Sequence, residues 1–152
     1  MLTEEDLHPA SLLPPTTRVT AIAGACFPHL RSPKGAGDEA ASFTQGALSS
    51  ALSDCEAAYG LTATHLDTSD FIASTLAWAK ASGTQNIVTG EPPIGWVKPQ
   101  LDQLKSALAA EGVILTYIRR EWDEAFWPHA KKGFFGLKKK MPSVLAELGL
   151  PV

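Results

Sequence analysis

Few residues of this chain have the type and spacing to do chemistry. Glu91 stands in the turn Gly90-Glu91-Pro92-Pro93, directly after an apolar β-like run. A carboxylate there can accept hydrogen bonds from a ribose hydroxyl or a ring N–H, or it is a solvated turn residue, and both readings stand. The four histidines, His8, His29, His65 and His129, have no second histidine or carboxylate at metal-ligand spacing, so no resident metal is expected. Cys26 and Cys55 match no metal spacing either and read as free, small apolar side chains. There is no glycine-rich phosphate loop and no nucleophile elbow. No residue of the chain is therefore nominated as catalytic.

Two further groups stand out near the carboxyl end. Lys131, Lys132, Lys138, Lys139 and Lys140 crowd a ten-residue stretch, as a solvated face or as a local phosphate or partner contact. Around them lie Trp122, Phe126, Trp127, Phe134 and Phe135, an aromatic density unusual in a tail. The Trp122-Asp123 pair fits two roles. The aromatics pack over a sheet end with Asp123 capping the next turn, or they form a docking surface for a partner domain. Phe134 and Phe135 among lysines could stack single-stranded bases, or could belong to the core of a terminal helix.

The composition sets the background. The chain has 152 residues, 45% hydrophobic and 19% charged, with a net charge of −3. That length suffices for one sizeable core. The negative balance opposes whole-surface attraction to nucleic acid. No apolar run approaches the roughly 20 residues of a membrane span, and no secretory signal is visible, so a cytoplasmic protein is expected.

The elements that must position these residues follow a regular alternation. Residues 1–17, punctuated by Pro9, Pro14 and Pro15, read as a proline-rich linker, and 18–152 as the domain. Residues 18–27 read as a strand buried on both faces, with Gly24 near its end. A helix is expected over 40–59, where Phe43, Ala47, Ala51, Cys55 and Tyr59 recur every fourth residue, widened by Leu48 and Leu52. A strand at 61–66 and a helix at 71–81 follow, the latter capped from among Asp67, Thr68, Ser69 and Asp70. Then come a strand at 86–89, a helix at 96–111 carrying Val97, Leu101, Leu104 and Leu108, and a strand at 113–118.

Such alternation forces parallel strands with right-handed crossovers. The expected fold is an α/β three-layer sandwich, Rossmann-like, with a short parallel sheet of order 2-1-3-4. That order puts a topological switch between strands 1 and 3, where ligands bind beyond the carboxyl ends of strands. Gly24, Cys26, Gly90, Glu91 and Trp96 would line the crevice.

The ordered series in the second half resembles the nucleotide-type α/β domain of the photolyase/cryptochrome family. A strand ends in an acidic-proline turn at Glu91-Pro92, and a helix with the early acidic residue Asp102 follows. The last strand leads into Trp122-Asp123 with Phe126, Trp127 and Pro128. Gly133-Phe134-Phe135 and Lys138-Lys139-Lys140-Met141-Pro142 complete it. The resemblance covers residues 84–145, and more loosely the domain. Where the family has an arginine-rich turn after its first strand, this chain has only Arg31.

The resemblance implies a blue-light flavoprotein that repairs DNA or senses light. Its FAD would sit in a helical domain of the same polypeptide, upstream or downstream of this chain, and DNA would be met only through the full-length protein. The α/β domain would hold an antenna chromophore or buttress the flavin domain, docking through Trp122, Asp123, Phe126, Trp127, Phe134 and Phe135. The alternative is a stand-alone nucleotide-binding, small-ligand or interaction domain of the same fold.

Overall fold

A computed structural model describes residues 1–150, apart from the side chains of residues 10 and 132. The side chain of Lys132 in the lysine group, and residues 151 and 152, lie outside that description. The chain is mixed α/β and forms two compact units, Met1–Ile118 and Arg119–Val152.

In the first unit, four strands fall where the apolar runs place them: β2 (Ile22–Ala25), β3 (Ala63–His65), β4 (Asn86–Gly90) and β5 (Ile114–Ile118). Between them run α1 (Asp38–Tyr59), α2 (Phe71–Ser82) and α3 (Val97–Ala110). A further strand, β1 (Leu2–Thr3), opens the chain. All strand pairings are parallel, as helical crossovers require. The strands form two small sheets, β1-β2-β3 and β4-β5.

This corrects the linker assignment and the pairing expected of strand 1. Leu2 pairs with Gly24 and Thr3 with Ala25, while Ile22, Ala23 and Gly24 pair with Ala63, Thr64 and His65. Both edges of β2 are therefore occupied, and β4 does not pair with it. Leu2 and Thr3 are 3% and 1% exposed, so residues 1–17 are not simply a tether. The prolines that suggested one come later, Pro9 opening a 3₁₀ turn over Pro9–Leu12. The Met1 amino group donates to the Val88 carbonyl of β4 at 2.8 Å. Burial holds that amine down to about 6, with Cys55 opposing the shift.

Apolar residues of β2 serve two clusters because successive side chains alternate. Ile22 packs with Leu2, Leu48, Ala51, Leu52 and Cys55. Ala23 and Ala25 join Phe27, Phe71, Ile87, Val97, Leu101, Leu104 and Leu108. On α1 the buried stripe runs through Leu48, Ala51, Leu52 and Cys55 and leaves Phe43 exposed. The helix stops at Gly60, whose φ of 64° is the left-handed conformation glycine adopts without strain. Asp70 is the cap of α2, accepting from the Ala73 N–H at 3.3 Å.

The second unit holds α4 (Glu121–Phe126), a 3₁₀ turn (Trp127–Lys132) and α5 (Phe134–Glu147). The single domain expected over 18–152 thus changes unit after β5. Phe126 and Val144 are buried in this short helical piece, and Trp122 packs against Phe126 at a tilt, with ring centroids 4.5 Å apart.

Candidate functional site

The crevice expected between the first and third apolar strands contains side chains from the residues just after β1. The Glu4 carboxylate accepts from the Phe27 backbone N–H at 2.8 and 3.0 Å and from the Trp96 indole N–H at 2.9 Å. Arg31 lies over the Trp96 ring, 5.2 Å from its centroid. Asp6 is pressed against Gly90, where an added Cβ would meet the Asp6 Cβ at 2.7 Å and its carboxyl carbon at 2.8 Å. Gly90 thus makes room for Asp6. Trp96 is spent on Glu4 and Arg31.

Glu91 is half-buried beside Tyr117. Burial first, then the Asp102 carboxylate and its hydrogen bond, then Glu91, push the Tyr117 phenol up to about 12. Asp102 itself takes Lys98 at 2.6 Å in an exposed i,i+4 pair.

Negative charge is concentrated at this end of β1. Burial raises the Glu5 carboxyl above its ordinary value, repulsion from Glu4 adds to that, and Arg31 opposes it. The Cys26 thiol is pushed up by burial and then by Glu4. Both cysteines are free and neither is activated: the Cys55 thiol is raised too, mainly by burial.

Gly24 and Cys26 belong to a different opening. At Gly24 a Cβ would meet Leu48 Cδ1 at 2.8 Å and Leu52 Cδ2 at 3.1 Å, so the missing side chain lets α1 lie close on β2. Past that contact lies a cleft of about 370 Å³ at the carboxyl ends of β2 and β3. His29, Gln45, Ser49, His65 and Thr68 line it together with Cys26. Of the five crevice residues, the structure brings Gly24 and Cys26 to this cleft and leaves Gly90, Glu91 and Trp96 around Asp6, Tyr117 and Glu4 respectively.

Sequence reasoning missed Glu4, Asp6, Gln45 and Ser49. Gln45 and Ser49 carry a readable signal, an i,i+4 polar pair on the helix after strand 1. Glu4 and Asp6 carry none, because two strand residues are too few to show a period.

The aromatic residues of the second unit divide. Trp122, Phe134 and Phe135 are 46%, 64% and 78% exposed, and the last two meet edge to face at 5.7 Å. Phe126 turns inward. Trp127 is half-buried under Arg119, whose guanidinium sits 4.4 Å from the ring centroid. Asp123 makes no cap: it forms a loose ion pair with Arg120 at 3.7 Å.

Among the described residues no group of three or more metal-binding side chains forms, and no helix is long and apolar enough to cross a membrane. No protein-family model, no curated protein and no solved structure matches the chain.

Proposed function

We propose that this chain is the α/β domain of a photolyase/cryptochrome-like flavoprotein and that it works by docking, not by catalysis. The observation that carries the reading is the exposed aromatic group Trp122, Phe134 and Phe135. It lies in the stretch whose residue order resembles that family. Aromatics at such exposure favour burial against a partner, because each removes a large apolar area from water. The exposed Lys131, Lys138, Lys139 and Lys140 supply a polar rim beside them. The partner is the FAD-binding helical domain of the same polypeptide. DNA is met only by the full-length cytoplasmic protein.

The finer fold belongs to this proposal. The two small sheets are halves of one Rossmann-like, three-layer arrangement, with β1 inserted where order 2-1-3-4 joins strand 1 to strand 3. The bond from the Met1 amine to Val88 and the seating of Asp6 on Gly90 support that insertion. An antenna chromophore, if the whole protein carries one, does not use the Gly90–Trp96 side, since Glu4 and Asp6 stand there.

The test is the product of the complete gene, purified in the dark. It should carry flavin absorbance that bleaches on blue-light reduction, the cofactor bringing its own chemistry. The isolated chain should bind no FAD and leave pyrimidine dimers intact. A complete gene product with neither flavin nor a helical flavin domain defeats the reading.

A further inference from the structure

We infer that the cleft between β2, β3 and α1 is a binding site for a small phosphate monoester, of about the size of a nucleoside monophosphate. The inference stands on residues separate from the docking surface and does not depend on the flavoprotein reading.

Position comes first. The cleft opens at the carboxyl ends of two adjacent parallel strands, bordered by Gly24 and Cys26 on one and His65 on the other. Loops leave a parallel sheet there, and ligands of such sheets gather there. Its volume of about 370 Å³ falls at the small end of ligand pockets. That admits a sugar phosphate or a mononucleotide, and is tight for a dinucleotide.

Chemistry selects the class. The polar lining consists of two imidazoles, one carboxamide and two hydroxyls, from His29, His65, Gln45, Ser49 and Thr68. Each brings at least one N–H or O–H donor. Among the described residues no carboxylate lines the cleft. Asp67, next to Thr68, accepts from the Ser69 N–H and hydroxyl at 2.9 and 2.7 Å. The lining groups can accept as well, but a phosphate group can be met by their donors alone, with no carboxylate in the lining to repel it.

Three of these side chains are uncommitted, whereas the Ser49 hydroxyl donates to the Gln45 backbone carbonyl at 2.9 Å. No hydrogen bond joins the side chains of His29, Gln45 or His65 to another described residue. Gln45 and Ser49, one helical turn apart, face the opening from α1, and the imidazoles come from the segments following β2 and at the end of β3. Leu48 and Leu66 give an apolar floor for a ring or sugar face.

The experiment titrates the whole chain with adenosine monophosphate, ribose 5-phosphate, inorganic phosphate and adenosine, read by calorimetry and by amide NMR shifts. Saturable binding of the monophosphates is expected, with shifts at His29, Gln45, Ser49, His65 and Thr68. Tighter binding of the organic phosphates assigns the site to a monoester, while equal binding of inorganic phosphate assigns it to the free anion. Removing hydrogen bonds to a charged ligand should weaken binding roughly tenfold in Gln45→Ala and in His65→Ala. These side chains are exposed, so circular dichroism should show both variants folded, and His29→Ala serves as a third if either is not. No saturable binding by any phosphate, adenosine binding as tightly as its monophosphate, or undiminished binding by the folded variants overturns the inference.

Discussion

The Trp96 indole donates its N–H to the Glu4 carboxylate at 2.9 Å, across 92 positions of the chain. The same carboxylate holds the Phe27 backbone N–H with both oxygens. One side chain from the amino-terminal segment thereby ties the end of β2 to the start of α3. Removing it strands a backbone donor and an indole donor in a part-buried place. Glu4→Ala should lower stability by about 2–3 kcal/mol, and Glu4→Gln, which keeps one acceptor, by about 1 kcal/mol. Urea unfolding followed by circular dichroism measures both. An unchanged midpoint in Glu4→Ala would show that β1 is not anchored in this way.

Gly90 and Gly24 are close approaches of different kinds. A Cβ on Gly90 runs into Asp6 down to its own Cβ, which cannot swing away without moving backbone. A Cβ on Gly24 meets only the methyl ends of Leu48 and Leu52. Gly90→Ala should cost about 1–3 kcal/mol, and most of that should disappear in an Asp6→Gly background. Gly24→Ala should cost less than Gly90→Ala in the parent chain. A double-mutant cycle with no coupling between positions 6 and 90 would contradict the seating of Asp6.

The Met1 amine sets a pH dependence. Its ordinary value is 8.0 and burial lowers it to about 6 in the folded chain. Between those values the unfolded chain binds a proton that the folded chain does not. Stability therefore rises with pH from about 6 to 8, and the contribution is lost as pH falls through 6. A shift of this size corresponds to roughly 2–3 kcal/mol. With Met1 as the first residue, thermal melts across this range should show the rise. Acetylating the amine removes its titration and should flatten it, whereas an equal slope after acetylation assigns the effect elsewhere.

Phe126 and Phe135 should part company under mutation. Phe126 is 9% exposed and Phe135 is 78% exposed. Phe126→Ala should destabilise the helical unit by about 3 kcal/mol through the cavity it leaves. Phe134→Ser with Phe135→Ser should leave stability within about 0.5 kcal/mol of the parent. The same pair should abolish docking to the flavin domain in the proposed assembly, which sedimentation of the mixed domains reads directly. Retained docking in the folded double variant removes these rings from the interface.

Reading from sequence succeeded where a physical period is long enough to see. Val97, Leu101, Leu104 and Leu108 announce α3 and are all fully buried. The β-branched and apolar runs locate β2, β4 and β5, and helices between them dictate parallel pairing. Burial around α1 was harder, because Phe43 keeps the four-residue spacing and still faces water. There the packing of α1 on Gly24 selects Leu48 and Leu52 instead.

The amino-acid sequence by itself determined the alternation of helices and strands and the concentration of aromatics after β5. Each depends on local spacing and residue type. Tertiary structure alone decided that Leu2 and Thr3 enter the sheet beside β2, that Glu4 and Asp6 occupy the expected crevice, and that His29, Gln45, Ser49 and His65 share a cleft. Two residues carry no period, and partners tens of positions apart are chosen by which backbone edges and donors remain unpaired once the helices have packed.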